Sequence, residues 1–346
     1  MGIFSSSENT YLGIDIGDSS LKMVELKKKN KKIILSNYGF SEDLGIKFSA
    51  VDNTEYLSKA INKIKSEVGI TCGRATASLP TFAVFSSVIN LYNLDKKSMP
   101  EAIHEEAKKV IPLPLEEMVI DWKVLPSSGD KDGKDKNNVK VFLTGSPKKL
   151  VRKYIEVFSK AKLTLASLET ETFSLTRSLL GNDKSSVMIA EIGANSTDIS
   201  IVRNSIPVIN RSIDISGSTI TKALMETMSI TFEEAEQMKY DLSLSGGGKM
   251  PEVVLKAITP IVNEIEYMLE FFKNNYQEKL EKVILSGGSS LLFNFSEYLE
   301  EQLNVKVIIG DPWSRVYYPV EMKPVLKQLG PKLAVAVGLA MREIDN

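Results

Sequence analysis

The chain is poor in the residues that build metal centres and covalent cross-links: its 346 residues include one cysteine, Cys72, and one histidine, His104. A lone cysteine closes no intramolecular disulfide, and the two residues together cannot supply a Cys/His zinc site. This usage fits a reducing compartment, and neither residue is expected to carry catalysis. Net charge is nearly absent too, with 43 Lys plus Arg against 44 Asp plus Glu. Such a balance argues against a broad nucleic-acid surface, because counterion release needs clustered basic charge. No apolar run approaches the ~20 residues needed to cross a bilayer. The stretch Leu333–Met341 is apolar on all sides and reads as a buried helix, since a helix lying on lipid needs a charged face. The start Met1-Gly2-Ile3-Phe4-Ser5-Ser6 fits the loose myristoylation pattern but is read as a frayed terminus. A cytoplasmic protein is expected.

What is present is the composition of a soluble globular protein, 43% apolar and 25% charged, in a chain long enough for two domains. Strand patterns occupy Tyr11–Asp15, Leu21–Leu26 and Lys32–Tyr38, followed by a helical pattern over Glu55–Val68 and a buried strand at Ala75–Leu79. A block of different texture then runs strand (Val84–Leu91), helix (Met99–Val110, stopped by Pro112 and Pro114), strand (Val119–Leu125), polar loop (Ser127–Asn138), strand (Val139–Thr144) and helix (Leu150–Ala161). The first pattern then returns as strands Val187–Ala190, Thr197–Val202 and Ile206–Arg211. Helices follow at Thr219–Thr227, Thr231–Tyr240 and Pro251–Asn275, then strand Lys282–Ser286, helix Leu291–Leu303 and strand Val305–Ile309. This is an α/β chain that repeats a three-strand meander followed by helices, and two similar halves facing each other across a cleft are its simplest architecture. The expected division is a first half at 10–81 and 162–205 with a C-terminal helix at 324–345, an insert at 82–161, and a second half at 206–323. The second half includes a small helical part at about 219–250.

The repeat carries chemistry at its turns. Ile14-Asp15-Ile16-Gly17-Asp18-Ser19-Ser20-Leu21-Lys22 lies over Ala190-Glu191-Ile192-Gly193-Ala194-Asn195-Ser196-Thr197-Asp198. Each is an apolar strand ending in a carboxylate, then a glycine, small polar residues and a second strand. Glycine admits positive φ and lets backbone N–H groups approach phosphate oxygens, and Ser19, Ser20, Ser196 and Thr197 can add donors. An acid at the strand end suits a hydrated Mg²⁺, which takes only one or two carboxylates. A third element, Val283-Ile284-Leu285-Ser286-Gly287-Gly288-Ser289-Ser290-Leu291, runs from a buried strand through two glycines toward a helix, with Ser289 or Ser290 expected as its cap. Gly246-Gly247-Gly248-Lys249 lacks the spacing and the preceding strand of a P-loop and reads as a flexible connection.

These three elements, in this order, resemble the first phosphate loop, second phosphate loop and adenosine loop of the actin-like ATPase superfamily. The resemblance implies an actin-like ATPase fold, two duplicated α/β halves around a nucleotide cleft, and the cofactors ATP and Mg²⁺. Asp15 would hold the metal. Gly17, Asp18, Ser19, Ser20, Lys22, Gly193, Asn195, Ser196, Thr197, Gly287, Gly288 and Ser289 would line the nucleotide, together with Glu236 and Lys239 from a helix that resembles the superfamily's nucleoside-contacting one. Glu191 starts the second loop, where the superfamily usually has Asp. Glu171, in Glu169-Thr170-Glu171-Thr172-Phe173-Ser174-Leu175, matches a connecting helix that often supplies a water-positioning acid, with Thr172 and Ser174 replacing the usual Pro and Ala. Glu171 and Glu191 are the candidate catalytic pair. The added methylene of Glu191 moves its carboxylate by roughly 1–1.5 Å, a displacement that can cost about 100-fold in rate, so slow hydrolysis is expected.

The insert at 82–161 lies where the FtsA-like branch carries its extra subdomain. Neither the peptide-binding domain of DnaK chaperones nor an FtsA-type C-terminal anchor is expected. From Tyr11 to about Arg342 it resembles the PilM family of type IV pilus assembly proteins, on Leu12–Gly17, Ala102–Pro114, Val119-Ile120-Asp121-Trp122, Glu169–Leu180, Leu285-Ser286-Gly287-Gly288 and Gly338-Leu339-Ala340-Met341-Arg342. That resemblance implies an ATP-binding component of the pilus assembly platform at the inner membrane. It would bind the N-terminal cytoplasmic tail of a PilN-type membrane protein in a groove beside the insert and reach the membrane only through such partners. Alternatives are an FtsA-like or filament-forming cytoskeletal ATPase, and a small-molecule kinase with Asp198 as its nominated acid.

Overall fold

The computed structural model describes residues 9–17, 19–42, 53–92, 98–125, 138–244 and 250–344. The Met1-Gly2 start, Asp18, the polar loop from Ser127 to residue 137 and Gly246–Gly248 lie outside them.

Strands β1 (Asn9–Ile16), β2 (Ser20–Lys29) and β3 (Lys32–Glu42) form an antiparallel meander. Helix α1 (Thr54–Val68) starts where the Asn53 side chain accepts the Tyr56 N–H and ends at Gly69, whose φ is 74°. It buries Leu57, Ile61 and Ile64, spaced at helical intervals. The chain returns in β4 (Arg74–Leu79), parallel to β1. A small three-stranded sheet follows, from β5 (Phe85–Tyr92), helix α2 (Met99–Val110), β6 (Met118–Val124) and β7 (Asn138–Pro147), in the order β5-β7-β6. Helix α3 (Lys148–Lys160), strand β8 (Thr164–Thr170) and short helix α4 (Glu171–Leu175), which runs into a π-helical turn at Thr176–Leu180, complete this part.

The second part has β9 (Val187–Ile192), β10 (Thr197–Arg203) and β11 (Ile206–Ile213), then α5 (Gly217–Met228), α6 (Phe232–Leu244) and α7 (Glu252–Tyr276). It continues with β12 (Lys282–Ser286), α8 (Phe295–Leu303), β13 (Lys306–Ile309), β14 (Val316–Tyr317) and α9 (Lys323–Met341). The sheet orders are β14-β3-β2-β1-β4-β8 and β11-β10-β9-β12-β13. Apart from the edge strand β14, they match strand for strand: a three-stranded meander extended by two parallel strands. The repeat read from two turns is a repeat of whole sheets.

The sheets stack through α9. One face of the first sheet packs on α1 and α3, through Leu12, Ile14, Leu57, Ile61, Tyr154 and Phe158. Its other face packs on α9 through Val24, Leu26, Leu333 and Val337. The same helix turns Ala334, Val335 and Leu339 onto Val187, Ile189 and Ile284 of the second sheet, whose far face is covered by α5, α7 and α8. A helix buried on both sides must be apolar all round, as read from the sequence. It also needs close backbone approach. A Cβ on Gly13 would fall on the Ala336 carbonyl, and one on Gly338 would fall on the Ser174 carbonyl.

Four readings change in three dimensions. The first half is expected to include residues up to 205, yet β9 and β10 pair with β11 and β12 in the second sheet. Strand β8 was not expected, since Thr164–Thr170 shows no apolar alternation, yet it completes the parallel edge beside β4. The expected insert runs to residue 161, but Leu150, Tyr154, Val157 and Phe158 of α3 sit in the first sheet's core, while the small sheet's own core is Ile89, Leu91, Ile103, Ala107, Val141 and Leu143. The helix expected from Leu291 begins at Phe295. Gly288–Leu291 is a separate 3₁₀ turn, and Ser290 donates to the Gly287 carbonyl at 2.7 Å instead of capping α8.

Candidate functional site

The two repeated turns have the same backbone. Gly17 N–H donates to the Ser20 carbonyl at 3.0 Å, and Gly193 N–H to the Ser196 carbonyl at 2.9 Å. The glycines are not there for positive φ. Among the described glycines only Gly69, Gly181 and Gly287 adopt it, so the expectation for Gly17 and Gly193 is corrected. At Gly193 the constraint is space, since a Cβ would lie 3.0 Å from the Ser196 carbonyl. Gly287 does need positive φ, at 82°, and a Cβ there would collide with the backbone of Ile192. The third loop is thereby pressed against the end of β9. It is also tied to α9, because Gly287 N–H and Ser286 Oγ both donate to the Pro331 carbonyl, at 3.0 and 3.1 Å.

Asp15 ends β1 almost fully buried, with Oδ2 accepting from Lys22 Nζ and Oδ1 from Ser78 Oγ, each at 2.9 Å. Lys22 stands directly across the hairpin, and Ser78 comes from the parallel neighbour β4. Burial alone would lower the Lys22 pKa, but Asp15, Glu191 and Glu171 outweigh it and raise the pKa overall. Glu191 occupies the corresponding place on β9, and Asp198 stands across from it. Its Oε2 is buried and has no hydrogen-bond partner. Burial, then Asp15 and Asp198, push the Glu191 pKa up to about 8 against the pull of Lys22. Glu171 opens α4, and its Oε2 accepts both the N–H and the hydroxyl of Thr81, at 3.0 and 3.1 Å. Burial, followed by Glu191, Asp198 and Asp15, pushes its pKa well above the carboxylate range, with the Thr81 N–H acting the other way. Three acids, Asp15, Glu191 and Glu171, thus act on one lysine, and Asp198 adds to the negative field on two of them.

A second cluster adjoins the first through Gly193, whose carbonyl accepts from Gly217 N–H at 3.0 Å at the start of α5. Lys239 Nζ donates to the Gly217 carbonyl at 3.1 Å and to Thr221 Oγ1 and Glu236 Oε1 at 2.8 Å each. Thr221 also donates to Glu236. A Cβ on Gly217 would lie 2.5 Å from Ser289 Oγ, so the third loop reaches this cluster too. The structure therefore brings together Asp15, Lys22, Glu171 and Glu191 in one group and Gly193, Glu236, Lys239 and Ser289 in another. Asn195 is exposed, Ser196 donates to Asp198 at 3.2 Å, and the Thr197 hydroxyl is committed to the Ile215 carbonyl at 2.6 Å. Ser19 and Ser20 are half-buried, Gly288 packs beside Lys332, and Asp18 lies outside the described residues.

Sequence reading missed Ser78, Thr81, Gly217 and Thr221, and it weighed Asp198 only as a kinase acid. Nothing in Ala75-Thr76-Ala77-Ser78-Leu79-Pro80-Thr81 marks two acid-binding hydroxyls. Only the pairing of β4 with β1 sets Ser78 beside Asp15. Asp198 could have been found, since the superposed loops align it with Lys22.

Among the described residues, no helix is long and apolar enough to cross a membrane. The model for the type IV pilus assembly protein PilM matches residues 13–344. A solved PilM–PilN type IV pilus biogenesis complex contains a chain 25% identical, with a TM-score of 0.82, over 97% of this chain and 99% of that one. The cell division protein FtsA of Bacillus subtilis is 22% identical, over 89% of this chain and 80% of its own length. MreB5 of Spiroplasma citri, solved bound to AMPPNP, is 12% identical with a TM-score of 0.53, over 97% of both chains. The fold is the actin-like ATPase fold. With its three glycine loops in order and a family match over almost its whole length, the chain belongs to the PilM family of type IV pilus assembly proteins.

Proposed function

We propose that the protein is a nucleotide-conditioned adaptor of a type IV pilus platform. It takes Mg²⁺-ATP in the cleft between its sheets, hydrolyses it slowly, and binds the N-terminal cytoplasmic tail of a PilN-type membrane protein in the groove beside the small three-stranded sheet. The single observation behind the nucleotide reading is the unbalanced acid cluster, in which Asp15, Glu191 and Glu171 act on Lys22, Asp198 adds to the negative field at Glu171 and Glu191, and one buried Glu191 oxygen has no partner. Such a cluster fits a divalent cation. Among the described residues, no three His, Cys, Asp or Glu side chains are arranged to hold an ion by themselves. The cation would then arrive with its nucleotide, bound largely by phosphate oxygens and water, with Asp15 or Glu191 reaching it. Mg²⁺ in that position supplies charge neutralisation for the phosphates.

The chain's own residues do the rest. Backbone N–H groups of the Gly17 and Gly193 turns and Lys22 face phosphate, and the Gly217–Lys239–Ser289 cluster faces the nucleoside. The partner reading is supported by the related chain solved with PilN. It would account for membrane recruitment of a chain whose described residues hold no spanning helix. Calorimetric titration with Mg²⁺-ATP tests the cleft. The wild type is expected to bind and Asp15→Ala to bind about 10–100-fold more weakly, as a charged hydrogen-bonded contact implies. Equal affinities would place nucleotide elsewhere. Capture of a PilN-type tail peptide by the full chain tests the partner.

A further inference from the structure

The segment that leaves the first sheet for the small one contacts both acids of the first half. Ser78, near the end of β4, holds Asp15, and Thr81, three residues later, holds Glu171 through two donors on a single carboxylate oxygen. The link between them is stiff, because Pro80 lies between β4 and the 3₁₀ turn Thr81–Ala83 with φ at −58°. Beyond that turn β5 begins, and Ser86 on it accepts from Asn210 Nδ2 of β11 at 3.0 Å. The Asn210 Oδ1 accepts from Thr172, the residue after Glu171, at 3.4 Å. Thr172 also shares a hydrogen bond with Ser200 of β10, at 3.1 Å. The root of the small sheet is therefore fastened to both halves of the cleft, on either side of Glu171.

We propose that Thr81 is a positioning residue for Glu171, so that the orientation of this acid is built into the root of the inserted sheet. A carboxylate with one oxygen fixed by two donors keeps its other oxygen free to accept from a water, in one orientation. Because the two donors sit on the segment that carries the insert, a displacement of the insert moves Glu171 as well. The inference rests on the nucleotide reading of the cleft and deepens it. It assigns a connection between the surface offered to a partner and the acid offered to the nucleotide.

The test compares the full-length wild type with Thr81→Val, Thr81→Ser, Glu171→Gln and the Thr81→Val/Glu171→Gln double variant. Mg²⁺-ATP affinity is measured by titration, single-turnover hydrolysis by product quench, and folding by thermal melting. Thr81→Val keeps the backbone donor and the side-chain shape but loses the hydroxyl. It is expected to hydrolyse about tenfold more slowly at unchanged ATP affinity, the size of effect that follows from one charge-assisted hydrogen bond. Thr81→Ser should restore the rate to within about twofold, and the double variant should be no slower than Glu171→Gln alone. A Thr81→Val rate equal to wild type overturns the inference. So does a loss that adds to that of Glu171→Gln, or a Glu171→Gln rate equal to wild type. If wild type binds no ATP, the titration shows that the nucleotide reading has failed, and the inference falls with it. If Thr81→Val melts early, Thr81→Ala, which also lacks the hydroxyl, is compared with Thr81→Ser, and equal rates for these two overturn the inference.

Discussion

The two hairpins that face each other across the cleft share a backbone and differ in the charge they set across it. In the first, Asp15 stands opposite Lys22, so the pair neutralises itself. In the second, the same two positions hold Glu191 and Asp198, a like-charged pair that a sheet does not favour. The second hairpin has no cation in that position, and burial, then Asp15 and Asp198, raise the Glu191 pKa to about 8 against the pull of Lys22 from the first. Duplication kept the geometry and divided the electrostatics. One hairpin supplies a fixed ion pair, and the other a buried acid that stands across from a second acid.

The comparison is broken most severely by removing the shared cation. Lys22→Met should cost about 3–5 kcal/mol of stability, because it leaves buried carboxylates without their partner, and urea denaturation of the nucleotide-free chain checks this. A smaller effect is expected from making the second hairpin's acid like the first's. Glu191→Asp withdraws the carboxylate by one methylene and should raise ATP turnover by up to about 100-fold, with little change in affinity, as read by steady-state hydrolysis. No change would mean that chain length at this position does not limit the rate.

The protonation difference gives a third test. The folded-state pKa of Glu191 is raised from the ordinary 4.5 to about 8, so its contribution to stability is complete below about pH 4.5 and is lost as pH rises through about 8. Glu171, also raised, acts with the same sign. The melting temperature of the nucleotide-free chain should therefore fall between pH 5 and pH 8.5, and Glu191→Gln should flatten that fall. A profile unchanged by Glu191→Gln would assign the proton elsewhere. The smallest effect compares the turn glycines. A methyl on Gly17 meets nothing nearer than 3.4 Å, whereas one on Gly193 meets a backbone carbonyl at 3.0 Å. Gly17→Ala should change stability by less than about 0.5 kcal/mol and Gly193→Ala should cost about 1 kcal/mol, as measured by thermal melting.

Much of this was legible before any fold was known. The bounds of helices α1, α2 and α7 are legible to within a residue, because each buries an apolar stripe at helical spacing, and two prolines stop α2. The repeated turns were legible because the acid, the glycine and the small polar residues fall at the same offsets. Strand β8 was not, since Thr164–Thr170 becomes a strand by pairing with β4 and not by its own pattern. The reading of Thr197 as a phosphate donor missed that its hydroxyl is spent on Ile215, eighteen residues away. A side chain's hydrogen-bond partner is set by what folds next to it, and short polar segments carry no record of that.

By itself, the sequence determined the elements, their duplication and the residue types at each turn, because those depend on local periodicity and on chemistry within a few residues. It also determined that one helix near the C-terminus must be buried all round. Tertiary structure alone decided that this helix is the layer between the two sheets, that α3 belongs to the first core, and that Lys22 serves two hairpins at once. It alone set Ser78 and Thr81 on the two acids of the first half. These are contacts between residues dozens of positions apart, and the local pattern that specifies a strand or helix does not say which one it will lie against.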